Sequence, residues 1–327
     1  MNTINLSIMK KYFLFLIIAF LVTSCSKEDT FNNEEGKSVT VNVAKAGTLS
    51  DLISSKKKYQ ITNLTITGYL NGTDINFIRE MAGTIVKGEK DFSVGSLSVL
   101  DLSGANIVAG GSSYTTSLNK IGACTFIDCS SLTSVILPNS ITYIDGGAFS
   151  GLEGLTSVII PNGVTYIGNV TFSGCTGLNS ITIPNSVTYI GKDAFAACTG
   201  LTSIIIPNGV TSIEDGTFRS TGLTSINLPD GITSIGRDVF SGCRRLTSIT
   251  IPNNVTYVGT LAFDGCDQLN EIHCKALIPP TTGIGSFDNV CWPTRFDISR
   301  CKLYVPKGTV SAYRSTVWGN FANIIEE

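Results

Sequence analysis

The chain has 327 residues, of which 43% are hydrophobic and only 15% charged, with 23 basic against 25 acidic side chains and a net charge of -2. Ordinary soluble domains carry roughly 25% charged residues, so this surface must be built from neutral polar side chains, and the apolar content excludes a disordered chain. The charge balance, with no basic run beyond Lys56, Lys57 and Lys58, excludes a nucleic-acid partner, and a single histidine, His273, removes most Ser-His, Cys-His and multi-histidine zinc chemistry.

Lys10 and Lys11 precede an apolar run from Tyr12 to Val22, eleven residues against the roughly 20 that a membrane-spanning helix needs. The run reads as a secretion signal. Val22-Thr23-Ser24-Cys25 then resembles the lipobox of bacterial lipoproteins, which implies cleavage before Cys25 and acylation of that cysteine as a membrane anchor. An ordinary signal peptide with an incidental cysteine is the alternative. Cys25-Ser26-Lys27-Glu28-Asp29 resembles the lysine-and-acid tag that sends some lipoproteins to the outer face of the outer membrane, which implies exposure at the cell surface. Residues 1–24 are thus expected to be a lipoprotein signal peptide, and residues 25–37, polar with little to bury, a flexible tether.

Residues 38–117 read as an N-terminal cap of irregular repeat-like units. "VTVNV" at 39–43 alternates as a strand does, and Leu49, Leu52 and Ile53 suit one helical face. The lysines at 56–58 are expected to form a solvated turn. Ile61, Leu64 and Ile66 share their spacing with Leu97, Leu100 and Leu102, 36 residues later, and "DINFIREMAG" from Asp74 to Gly83 reads as a helix between them. Ser103–Ser117, rich in Gly, Ser and Thr, is expected to be a loop.

From 118 to 274 the chain repeats itself. Prolines stand at 138, 161, 184, 207, 229 and 252, and phenylalanines at 126, 149, 172, 195, 218, 240 and 263. Both series keep a period of 23 through the same one-residue deletion, between Phe218 and Leu223. A pattern that holds phase through a deletion is one coil of a solenoid stacked on the next. In "LTSVILP" at 132–138, Leu132, Val135 and Leu137 have L-x-x-L-x-L spacing, so Val135 and Leu137 point inward and Ile136 outward. Proline in the seventh place has no N–H to give and must end the strand. The return half, as in "VTYIGNVTF" from Val164 to Phe172, is too short for a full helix and predicts a second short strand or turns.

The resulting fold class is a mostly β, α/β-type solenoid: a right-handed leucine-rich-repeat superhelix with one parallel sheet, few helices and irregular caps. Cys129, Cys175, Cys198, Cys243 and Cys266 each lie three residues after a repeat Phe, in a column where Leu152 also stands. A slot that accepts leucine is apolar, which favours buried free thiols over bridges or metal ligation.

In residues 275–327, the C-terminal cap, the pattern degrades. Lys275 replaces the terminating proline, a last strand runs from Lys302 to Val305, a short helix follows at Thr309–Thr316, and Trp318 and Phe321 cover apolar surface. With Cys25 acylated, nine cysteines remain, so at least one is unpaired, and Cys291 with Cys301 is the preferred pair if any forms.

"LNSITIPNSVTYIGKDAFAAC" from Leu178 to Cys198 meets almost literally the 23-residue repeat of BspA-like bacterial surface proteins, which residues 118–274 resemble. That resemblance implies attachment to the cell surface and binding to host or bacterial partners, with no catalytic residue set. The outward strand column of Ile136, Ile159, Thr182, Ile205, Asn227, Thr250 and His273 runs from apolar to polar beside a column of serines, and is the candidate binding face. β-branched residues placed there by strand propensity, or covered by the 103–117 loop, are the plainer account. A second column, Tyr143, Tyr166, Tyr189 and Tyr257, could offer ring faces to sugars or could pack from coil to coil. His273 beside a cap is expected to be a solvated or hydrogen-bonded residue rather than a base, and the adjacent Glu214 and Asp215 lack the separation glycoside hydrolysis needs. The expected protein is therefore a non-catalytic, monomeric surface lipoprotein without cofactor or metal, an adhesin or receptor-like module for a host or bacterial protein. A carbohydrate-binding component of an outer-membrane glycan system is the alternative.

Overall fold

The computed structural model describes residues 37–83, 95–111, 115–288 and 300–327. The leader, Cys25, the tether up to residue 36 and Cys291 lie outside them, and with Cys291 lies the proposed pairing to Cys301.

The N-terminal unit runs β1 (Lys37–Val43), α1 (Leu49–Leu52), β2 (Ile61–Leu70), α2 (Gly72–Met81) and β3 (Val99–Ile107). β1, β2 and β3 pair in parallel, with Leu64 opposite Leu100. Two expectations need correction here. The glycine-rich stretch after Leu102 is not all loop, because β2 is long enough to carry β3 on through Gly104, Ala105, Asn106 and Ile107. The lysine run is not wholly solvated either: the Lys58 side chain, 12% exposed, pairs with Glu80 at 2.6 Å and lies over the rings of Tyr59 and Phe77. Its aliphatic stem covers apolar surface while the ammonium finds a carboxylate. Asp74 binds the unit together. It accepts from the backbone N–H of Gly47 and Leu49 and closes a capping box with Asn71 at the start of α2.

Coils follow, each with a two-residue strand on the return face and most with a strand on the outward face, the coils starting at Leu178 and Leu201 lacking the latter. The outward strands are β5 (Ser134–Ile136), β7 (Ser157–Ile159), β11 (Ser225–Asn227), β13 (Ser248–Ile251) and β15 (Glu271–Cys274). The return strands are β4 (Lys120–Ile121), β6 (Tyr143–Ile144), β8 (Tyr166–Ile167), β9 (Tyr189–Ile190), β10 (Ser212–Ile213), β12 (Ser234–Ile235), β14 (Tyr257–Val258) and β16 (Thr281–Thr282). The chain closes with β17 (Lys302–Val305), α3 (Val310–Arg314) and β18 (Asn323–Glu326), the last two strands extending the outward ladder.

The parallel solenoid is as the repeat predicts, but its strands do not form one sheet. On the outward face β1-β2-β3-β5-β7 and β11-β13-β15-β17-β18 are separate, and on the return face β4-β6-β8-β9 is separate from β10-β12-β14-β16. Strands of three or four residues, closed by a proline, form too few bonds to hold the ladder through small changes of coil spacing.

What runs without a break is the arc around each Phe. The residues two before and two after it have positive φ: Gly147 and Gly151, Val170 and Gly174, Asp193 and Ala197, Gly216 and Ser220, Asp238 and Gly242, Leu261 and Gly265. This alternation turns the N–H groups of both, and of the Phe between them, toward the next coil. Around Phe172, Val170, Phe172 and Gly174 donate to the carbonyls of Lys192, Ala194 and Ala196, each at 2.8 Å. The pattern continues from Cys124 to the carbonyls of Ile284, Ser286 and Asp288. Inside the arc the rings of Phe126, Phe149, Phe172, Phe195, Phe218, Phe240, Phe263 and Phe287 stack at centroid spacings of 5.4–5.9 Å. All are buried, each contributing roughly 1.5–3 kcal/mol of transfer free energy. Trp318 and Phe321 close the column against Phe287, at 4.7 and 5.2 Å.

Candidate functional site

Register places the outward candidates side by side. Ile136 pairs with Asp101 and Ile159, and Asn227, Thr250 and His273 follow one another, with Tyr304 and Ile325 continuing the same column through the cap. An isolated bridge from Ile205 to Asn227 adds one coil to the second stretch. Alternation then fixes which side chains face out. Ile159 is 54% and Ile205 83% exposed, with Thr182 exposed between them and Ile136 half-buried beside Asp101. The described part of the 103–117 segment leaves Ile159 and Ile205 uncovered.

Toward the C-terminus the face is polar. His273 lies flat on Tyr304 at 4.4 Å, and its Nδ1 is 2.8 Å from Glu327 Oε2. Glu271 receives Lys302 Nζ and the Tyr304 hydroxyl, both at 3.5 Å. His273 is thus stacked on a ring and hydrogen-bonded to a carboxylate, and neither neighbour pairs it with a nucleophile. Tyr304 and Ile325 belong to the column but escaped sequence reading, because the insertion before β17 breaks the period that marks the other members.

The tyrosine column divides. Tyr143, Tyr166 and Tyr189 stack at 4.1 and 4.7 Å with interplanar angles of 6° and 13°, and Lys120 Nζ caps the stack 4.8 Å from the Tyr143 ring. Burial, followed by the hydrogen bond with Tyr166, holds the Tyr143 phenol well above its ordinary range. Tyr257 is not brought to this stack: Ser212 and Ser234 occupy the two intervening positions of the column.

The cysteine column is buried and unbridged. Cys175, Cys198, Cys243 and Cys266 each donate to the carbonyl of the preceding coil's Phe, at 3.0–3.2 Å. Thr221 fills the vacant place and bonds the Phe218 carbonyl with its hydroxyl. Desolvation pushes the Cys129 and Cys175 thiols up to about 12, so they are packing groups rather than nucleophiles. Among the described residues no cluster of three or more His, Cys, Asp or Glu could hold a metal ion, and no helix is long and apolar enough to cross a membrane.

Coils of this length, with one strand per face and no helix on the return, define a short-repeat solenoid of the leucine-rich-repeat class. The BspA type leucine-rich-repeat region matches the chain in six copies over residues 112–221 and 188–300. The chain belongs to that family. Among solved structures it is similar to a leucine-rich-repeat protein of T. pallidum, at 24% identity over 64% of this chain and 81% of the other, with a TM-score of 0.44. A leucine-rich-repeat protein of Bacteroides ovatus is 19% identical over 93% and 88%, with a TM-score of 0.45, and the pneumococcal vaccine antigen PcpA is 18% identical over 84% and 82%, with a TM-score of 0.36. No curated protein sequence matches the chain significantly.

Proposed function

We propose that this chain is a lipid-anchored surface protein of the outer membrane that binds a host or bacterial protein, without catalysis, through the outward face of its coils. The observation that carries this reading is the pair Ile159 and Ile205, two large apolar side chains standing in solvent beside the exposed hydroxyls of Ser157, Ser180, Thr182 and Ser203. Leaving them exposed forfeits the transfer free energy that a partner's apolar surface would recover, and the serines and threonines around them supply a polar rim. Cys25 would carry the acyl anchor and residues 26–36 the reach. The tyrosine stack favours a protein over a glycan, since Tyr143 and Tyr189 take both ring faces of Tyr166 and Lys120 lies over Tyr143, which leaves fewer ring faces for a sugar.

The test is binding of the labelled chain to arrays of host and bacterial surface proteins and of glycans, alongside the variant Ile159→Ser/Ile205→Ser. Protein signals that fall at least tenfold in the variant, with an unchanged melting temperature, support the face. Unchanged protein binding removes it, and signals confined to glycans transfer the function to the alternative reading.

A further inference from the structure

The return ladder breaks at one junction, and the outward ladder is interrupted from Ile159 to Ile205, across that junction and the one before it. Between the coil starting at Leu178 and the coil starting at Leu201, the return face has none of the bonds that recur at its other junctions. Thr165 donates to Thr142, Thr188 to Thr165, and Thr233 to Thr211, and Gly191 and Gly236 donate to Ile167 and Ile213. The equivalent bonds from Thr211 to Thr188 and from Glu214 to Ile190 are missing. The outward face at this junction keeps one long bond, Thr202 to Asn179 at 3.4 Å. The core of the four coils around the junction registers the opening: Val158, Ile160, Ile181, Ile183, Ile204, Ile206, Ile226 and Leu228 are 4–8% exposed, whereas Val135, Leu137, Ile249 and Ile251 are at 0–1%.

The arc is different. Across the same junction Asp193, Phe195 and Ala197 donate to Asp215, Thr217 and Arg219 at 2.7–2.9 Å. Two ion pairs cross it on that side, Lys192 with Asp215 at 2.9 Å and Arg219 with Asp193 at 3.0 Å. The sequence supplies a reason for the asymmetry on the return face: Ser212 replaces the tyrosine that would continue the stack beyond Tyr189. The Ser212 hydroxyl turns instead to Glu214, at 2.7 Å.

We propose that this junction is a hinge: two stiff stacks of coils joined along one edge by the arc bonds and the paired ions, and free to part on the two strand faces. Ile159 lies on one side of it and Ile205 on the other, so opening changes the distance between them. The hinge itself does not depend on what those isoleucines bind.

Hydrogen exchange of the full chain, read by mass spectrometry across a low-denaturant series, tests it. The amides of Ile181, Ile183, Ile204, Ile206, Thr211 and Glu214 are expected to exchange at least a hundredfold faster than those of Phe195 and Ala197, with rates that do not change with denaturant, the signature of local opening. Protection equal to that of Val135 and Ile249, or the same denaturant dependence as the arc amides, overturns the hinge. A second measurement separates a hinge from a merely loose face. Lys192→Ala/Arg219→Ala removes exposed side chains that do not enter the core, and should speed exchange at the Phe195 and Ala197 amides while leaving Phe149 and Phe263 unchanged. No change at Phe195 overturns the role given to the ion pairs as the closed edge.

Discussion

The guanidinium of Arg79, on α2, donates through Nη1 to the carbonyl of Thr125 at 2.6 Å, and also to that of Cys124 at 2.9 Å. Every arc donates its N–H groups toward the C-terminus, so the first arc is left with carbonyls that no preceding coil can satisfy. A cation from the N-terminal unit meets them there, much as a basic side chain meets the last carbonyls of a helix.

Arg79→Ala is therefore expected to lower stability by about 1–2 kcal/mol, the range for a hydrogen bond from a charged group that is partly solvated. The loss should be local: protection of the Cys124–Cys129 turn falls first, while that of the arcs around Phe218 and Phe240 is kept. Chemical denaturation combined with hydrogen exchange reads both.

The left-handed position two residues before each Phe is a second point of leverage. Gly147 and Gly216 fit it without cost, but Val170 holds it at a φ of 52°, where a β-branched side chain crowds the backbone. Val170→Gly should stabilise the protein by about 1 kcal/mol, because the strain removed exceeds the entropy that glycine adds to the unfolded chain. The reverse change, Gly147→Val, should cost about 1–2 kcal/mol, since its new Cβ would also come within 3.2 Å of the Cys124 sulfur. Urea midpoints of the two variants give opposite signs if the position is strained as described.

The period of 23, the proline stops and the inward pattern of Val135 and Leu137 made the coil legible in the sequence, because each is a one-residue signal that every coil repeats. The arc was not legible. Its left-handed positions are filled by Gly, Val, Asp, Leu and Cys in turn, so no residue type marks them, and only backbone angles show that they form a column. Phe287 was missed for a related reason: it lies 24 residues after Phe263, and its coil lacks the terminating proline. The outward column could be read as far as His273 because alternation fixes direction, but how much of each side chain meets solvent depends on neighbouring elements. Asp101 on β3 half-covers Ile136, and nothing in the spacing of the repeat foretold it.

The thiols offer a test of packing. Cys124 is exposed, whereas Cys129, Cys175, Cys198, Cys243 and Cys266 are buried, with burial raising each thiol above its ordinary range. Under native conditions at pH 8, a disulfide reagent should label Cys124 within minutes and label the column only at the rate of global unfolding. Fast labelling of Cys198 or Cys243, mapped by mass spectrometry, would show that the arc opens independently of the rest.

Asp215 sets the pH dependence of the junction between the Leu178 and Leu201 coils. Its carboxylate takes a hydrogen bond from Lys192 Nζ on one oxygen and the backbone N–H of Arg237, at 2.9 Å, on the other. The Lys192 bond, opposed by partial burial and aided by Arg237, holds its pKa below the ordinary carboxylate value. A depressed carboxylate contributes stability that is fully present above its unfolded-state pKa of about 3.9 and is lost as pH falls through the lower folded value. Asp215→Asn keeps an oxygen for the Arg237 N–H but removes the charge. The native chain is expected to melt above this variant by a constant margin from pH 7 to about pH 5, and the margin should shrink as pH falls below about 4 and through the lower folded value. Glu214 and the Asp193–Arg219 pair face the same junction and are common to both proteins, so they cancel in the difference. A margin that persisted in acid would assign the effect to the shape of the side chain rather than to its charge.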